Sequence, residues 1–245
     1  TFGVGDGGKI AISASDNILL QNSQIKNDSF GEGNAGDIAI DAINNIRLDN
    51  SSIDSVVTIF GQGNGGNIKI ATGSLELSNG SRLTANTFGK GNAGNIGIQA
   101  ENSIFLDNSR IGSEVSILGK GNAGTIDINT GSLTLQNGSN LSTSDAFGQG
   151  NAGNININAK DNVSFDGTGK DLFQLYATVF SGAKDGNGGE INITAQNLTL
   201  SNGGNLNSLT SGVGNAGNVN INVSESVNIF GFAKVNILEQ TVDFP

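Results

Sequence analysis

Phe60-Gly61-Gln62-Gly63-Asn64-Gly65-Gly66 runs straight into Asn67-Ile68-Lys69-Ile70-Ala71, and this junction of a glycine-rich cassette with an alternating aliphatic run decides the fold. Ile68 and Ile70 alternate with Lys69 and Ala71, a period of two that puts both aliphatics on one face of a strand. Gly73 and Ser74 break the run, and Leu75 and Leu77 resume it around Glu76. Asn79-Gly80 breaks it again, and Leu83 and Ala85 form a third short stretch. The unit therefore predicts three short strands and three corners.

Outward from this unit, the cassette recurs along the whole chain with the consensus Phe-Gly-x-Gly-Asn-Ala-Gly. Its last glycines are Gly8, Gly36, Gly66, Gly94, Gly124, Gly153, Gly189 and Gly217, at intervals of 28, 30, 28, 30, 29, 36 and 28 residues. Self-similarity at such a period marks a stacked repeat, in which no unit buries its own apolar face and each covers the next. Aligned on the glycines, Ile10, Ile38, Ile68, Ile96, Ile126, Ile155, Ile191 and Val219 fall in one column. The second strand aligns Leu20, Leu48, Leu77, Leu106, Leu135, Phe165, Leu200 and Ile229, and the third aligns Ile25, Ile53, Leu83, Ile111, Leu141 and Leu206.

The expected fold is all-β, a single-stranded parallel β-helix (solenoid) of about eight coils of 28–30 residues with three short strands each, stacked as three parallel sheets. At a spacing of about 4.8 Å per coil the rod is roughly 38 Å long. A helical reading would have to absorb 38 glycines, each costing about 1 kcal/mol in a helix interior. Residues 1–245 form one repeat region, 166–186 a widened coil or bulge within it, and 231–245 an irregular end segment.

The corners carry columns of their own. Asn22, Asn50, Asn79, Asn108, Asn137 and Asn202 share one turn, where a left-handed backbone suits Asn or Gly. In the cassette, Asn34, Asn64, Asn92, Asn122, Asn151, Asn187 and Asn215 stack likewise, with Asp6 in the first copy, and are expected to form amide ladders between coils. Phe2, Phe30, Phe60, Phe88 and Phe147, with Leu118 in the fifth copy, predict a stacked aromatic column.

The composition narrows the chemistry. No Cys, His, Met or Trp occurs, which removes thiol and imidazole ligands and the commonest general base. A formal charge of -10, with only 12 Lys and Arg, speaks against a nucleic-acid partner. No apolar run approaches the roughly 18 residues of a membrane helix, and the start inside a cassette at Thr1-Phe2-Gly3 suggests a piece of a longer protein.

The cassette satisfies Gly-x-Gly-x-x-Gly, as at Gly148, Gly150 and Gly153, but a strand follows where a dinucleotide site needs a helix, so it is read as a structural turn. The calcium-loaded β-roll needs an Asp where this cassette mostly has Asn. A polysaccharide-cleaving β-helix needs clustered carboxylates. Asp49, Asp107 and Asp166 recur only in alternate coils, about two coil spacings apart, as expected of a solvated surface. No catalytic, cofactor-binding or metal-binding residue is assigned. The sixth unit departs from the pattern at Gly167–Tyr176, and Lys170, Asp171 and Tyr176 are candidate contact residues on the bulge.

The run from Phe60 to Ile68, followed by Ser74-Leu75-Glu76-Leu77-Ser78-Asn79-Gly80 and Ser81-Arg82-Leu83, resembles the haemagglutination-activity repeats of cyanobacterial filamentous-haemagglutinin-like exoproteins. The resemblance implies a right-handed β-helix, carried as a two-partner-secretion passenger through a dedicated outer-membrane β-barrel transporter. It implies an extracellular or cell-surface location and a non-enzymatic role as the shaft of an adhesin or filament. The partners it suggests are further repeats of the same parent, self-association end to end, and surface glycans. A polysaccharide-binding or polysaccharide-cleaving β-helix is the alternative.

Overall fold

Aliphatic residues two apart, repeated once per circuit, dictate that each strand pairs with its own equivalent one repeat later. A computed structural model describes residues 2–116, 119–145, 150–168, 178–183, 185–231, 233–237 and 240–244. Its strands pair in parallel as a solenoid of about seven turns, with no helix among the described residues.

The first coil carries β1 (Ile10–Ala14), β2 (Asn17–Gln21) and β3 (Gln24–Lys26). The next four carry β4 (Ile38–Asp49) and β5 (Ser52–Asp54), β6 (Ile68–Ser78) and β7 (Arg82–Thr84), β8 (Ile96–Asp107) and β9 (Arg110–Gly112), β10 (Ile126–Gln136) and β11 (Asn140–Asp145). The sixth has β12 (Ile155–Ala159), β13 (Asn162–Asp166) and β14 (Thr178–Ala183), the seventh has β15 (Ile191–Ser201) and β16 (Asn205–Thr210), and β17 (Val219–Phe230) alone represents a partial last coil.

The register is the one the sequence columns require. Ile10, Ile38, Ile68, Ile96, Ile126, Ile155, Ile191 and Val219 are successive partners. The core between the sheets consists of these columns, with Ile68, Leu77, Leu83, Ile96 and Leu106 fully buried. Val179 takes the sixth place of the third column, between Leu141 and Leu206.

Three differences from the expectation have physical causes. First, the strands group into one 10-stranded and one 7-stranded parallel sheet rather than three. The first corner needs no left-handed residue, only a register shift, so strands one and two fuse, as at Ala42/Asn45 and Thr72/Ser74. At Gly73 a Cβ would lie 2.4 Å from the Asn44 carbonyl oxygen, so the shorter coil nests against the longer one.

Second, among the described residues the aromatic column does not continue past its first pair. Phe2 and Phe30 stack, with ring centroids 4.6 Å apart and planes 9° apart. Ser29 pairs with Val57 and Val57 with Thr87, which sets Phe30 and Phe88 opposite Thr58. The two extra residues of the 30-residue interval, Ile59 and Phe60, loop outward, and Phe60 is 86% exposed. Leu118 and Phe147 lie outside the described residues.

Third, the end segment pairs with itself. β18 (Ala233–Ile237) and β19 (Gln240–Phe244) form a two-stranded antiparallel sheet of their own. In the sixth unit β14 joins the third-strand sheet, whereas Lys170, Asp171 and Tyr176 lie outside the described residues.

Candidate functional site

The cassette is where the repeat concentrates its polar chemistry. Its second glycine, as Gly33, Gly63, Gly91 and Gly121, has φ between +136° and +158°, which side chains rarely adopt. The turn aims each cassette Asn along the solenoid axis. The Asn34 N–H donates to Asp6 Oδ1 at 2.7 Å, and Asn64, Asn92 and Asn122 each donate from the backbone to the Oδ1 of the Asn one coil earlier, at 2.7–2.8 Å. Asn151, Asn187 and Asn215 continue the series at 2.8–3.0 Å.

The ladder is thus backbone to side-chain carbonyl, with amide-to-amide contacts only secondary, as from Asn151 Nδ2 to Asn122 Oδ1 at 3.2 Å. Every step runs from the later coil's N–H to the earlier coil's oxygen, so the acceptor is the essential part. Asn92→Ala should therefore cost about 1 kcal/mol, by leaving the Asn122 N–H without its partner, whereas Asn92→Asp should be near neutral at pH 7. Urea unfolding of the two variants checks this, and equal losses would count against the ladder.

A second ladder, not anticipated from the sequence, runs one residue past the cassette. Asp37 Oδ1 accepts from the Asn67 N–H at 2.8 Å, Asn67 Oδ1 from Asn95 at 2.9 Å, and Asn95 Oδ1 from Thr125 at 2.8 Å. Its signal was present in the column Asp37, Asn67, Asn95, hidden by the change to Thr125 and Glu190 further on.

The corner asparagines have φ between 47° and 56°, as their column predicts. The acids of alternate coils serve the same corner. Asp49 Oδ1 accepts from Asn79 Nδ2 at 2.6 Å, Asp107 Oδ1 from Asn137 Nδ2 at 2.6 Å, and Asp166 Oδ1 from Asn202 Nδ2 at 3.1 Å. These carboxylates are half-buried hydrogen-bond acceptors rather than a freely solvated row, and the next coil's amide holds each one.

Asp54, on β5, is a buried and densely hydrogen-bonded charge, at 2% exposure. Its oxygens accept from Arg82 Nε and Nη2, both at 3.0 Å, from Thr84 Oγ1 at 2.6 Å and from Ser52 Oγ at 2.8 Å. Burial alone would raise its pKa, but the hydrogen bonds from Arg82, Thr84 and Ser52 outweigh it and hold the carboxyl below its usual value. Burial pushes the nearby Asp28 the other way, against the N–H of Val56. Sequence reading missed this cluster because Asp54 and Arg82 stand 28 residues apart and meet only through the stacking.

The sign for Asp54 follows from a depressed folded pKa: its stabilisation is present above the ordinary carboxylate value and is lost as pH falls through the folded value. Asp54→Asn should cost about 1–2 kcal/mol at pH 7, discounted because Arg82 is 47% exposed in its side chain. Unfolding midpoints measured from pH 7 down to pH 2 should show the two proteins converging below about pH 3.9. A gap that stays constant over that range would refute the assignment.

The resulting geometry is dominated by contacts between coils. No group of three or more metal-ligating acids occurs among the described residues. Comparison of the chain with protein-family models, with curated proteins and with solved structures found no match.

Proposed function

We propose that the chain is the non-enzymatic structural shaft of an extracellular adhesin or filament. The observation that carries this reading is that the patterned polar groups of the cassette and of the Asn corner hold one coil on the next: the Asn34-to-Asn215 ladder, the Asp37 ladder and the corner pairs at Asp49, Asp107 and Asp166. A surface spent on stacking suits a stiff element that sets distance. The resemblance of its repeats to filamentous-haemagglutinin-like exoproteins supports a place outside the cell.

The last coil supports growth along the axis. Val219, Ile221, Val227 and Ile229 are 40–72% exposed, whereas their equivalents Ile126, Ile128, Leu133 and Leu135 are at most 1% exposed. An added coil, from further repeats or from a second copy, would cover this apolar edge.

Negative-stain microscopy of native material is expected to show straight rods or filaments, and discrete short particles alone would count against the shaft. Incubation with neutral and acidic glycans is expected to release no product, and any cleavage would replace this reading with the enzymatic one.

A further inference from the structure

On the outer side of the second strand a groove of 610 Å³ runs along the solenoid axis over the first four coils. Two side-chain rows wall it, both set by the strand register. One row is Asn17, Asn45, Ser74 and Ser103, all amides and hydroxyls. The other, two residues further along each strand, is Leu19, Arg47, Glu76 and Phe105. Between the rows, Ile46 and Leu75 turn their side chains into the core, so the floor is backbone.

The fold does not require the second wall. The same column continues as Thr134, Ser164 and Thr199 in the following coils, on equally regular strands. Small hydroxyls satisfy the stacking there, yet four large and chemically mixed side chains stand together in the first four coils. Leu19 is 63% exposed, and Arg47 and Glu76 face each other at 3.5 Å with half-exposed side chains.

We propose that this groove binds a linear, uncharged glycan lying parallel to the solenoid axis, with one sugar ring per coil. An amide and hydroxyl wall matches the hydroxyl edge of a sugar, and Phe105 and Leu19 offer apolar surface to its C–H face. A pyranose ring in an extended chain advances by a length close to the coil spacing of about 4.8 Å, whereas an extended peptide advances by about 3.3 Å per residue and falls out of step. The peptide groups of the floor are paired between coils, leaving no strand edge for a peptide to join. Charge selects against acidic glycans, because Arg47 is neutralised by Glu76, whose carboxylate would face theirs.

The inference stands apart from the shaft reading, since purified protein binds or does not bind whatever it assembles into. Calorimetry with xylo-, cello- and chito-oligosaccharides of increasing length, and with oligogalacturonate of matched length, tests it. Saturable binding of at least one neutral series is expected, strengthening up to about four rings and then levelling off, with no binding of the galacturonate. Phe105→Thr and Leu19→Thr, which install the residue type the column carries elsewhere, should weaken binding about tenfold with the far-UV circular dichroism unchanged. Thr134→Ala, one coil beyond, should leave it unchanged. In the unaltered protein, isotope-labelled phenylalanine should show the Phe105 ring signal moving on titration. Failure of every neutral series to bind, equal binding of the galacturonate, or a Phe105 signal that stays still while sugar binds would overturn the proposal.

Discussion

Gly94→Ala is expected to destabilise the central coils by about 3 kcal/mol or more, because the overpacking it causes has no flexible neighbour to absorb it. A Cβ at Gly94 would sit 2.1 Å from the carbonyl oxygen of Gly66 and 2.6 Å from its carbon, so backbone meets backbone across the coil boundary. Relief requires the third and fourth coils to separate, which also stretches the hydrogen bond from the Asn92 N–H to Asn64 Oδ1. Gly97→Ala is the matched control. It lies three residues later in the same coil with nothing within 4 Å of the new methyl, and should change stability by no more than about 0.5 kcal/mol. Urea unfolding, with hydrogen exchange to localise the loss, checks both. Equal behaviour of the two variants would show that cassette glycines are not there for close approach.

Leu77→Ala is expected to cost about 3 kcal/mol, within the range for truncating a buried leucine. Leu77 is fully buried, with Leu48 and Leu106 above and below it in the same column. The neighbours cannot close on the space, because hydrogen bonds between coils hold the spacing at about 4.8 Å. Ile221→Ala, in the exposed last coil, should cost only about 1 kcal/mol, since Ile221 is already 42% exposed. Thermal unfolding of the two variants provides the comparison, and similar losses would mean that the last coil is covered in solution.

The columns of Ile and Leu were legible because a period of two within strands and a period near 29 between them leave one consistent superposition. The corner asparagines were legible for a similar reason, since few residues accept a left-handed backbone and Asn22, Asn50 and Asn79 recur where one is needed. The aromatic column stops at its first pair among the described residues because recurrence in a cassette is not recurrence in space. Phe60 shares its cassette position with Phe30, but it belongs to the two-residue insertion of its coil, with Ile59, and so loops out of the stack.

The order of residues is enough to specify the solenoid, its register and its inward-facing residues, because hydrophobic burial depends on which residues recur at which spacing. It takes the folded coils to show that the first two strands share a sheet, that the cassette Asn acts through Oδ1, that Asp54 lies buried under Arg82, and that Leu19 and Phe105 wall one groove. Those outcomes depend on distances between atoms of different coils, set by local corner geometry and by how far each coil's length departs from its neighbour's. A linear repeat carries the period of such contacts but not the direction in which a side chain points when the coils close on one another.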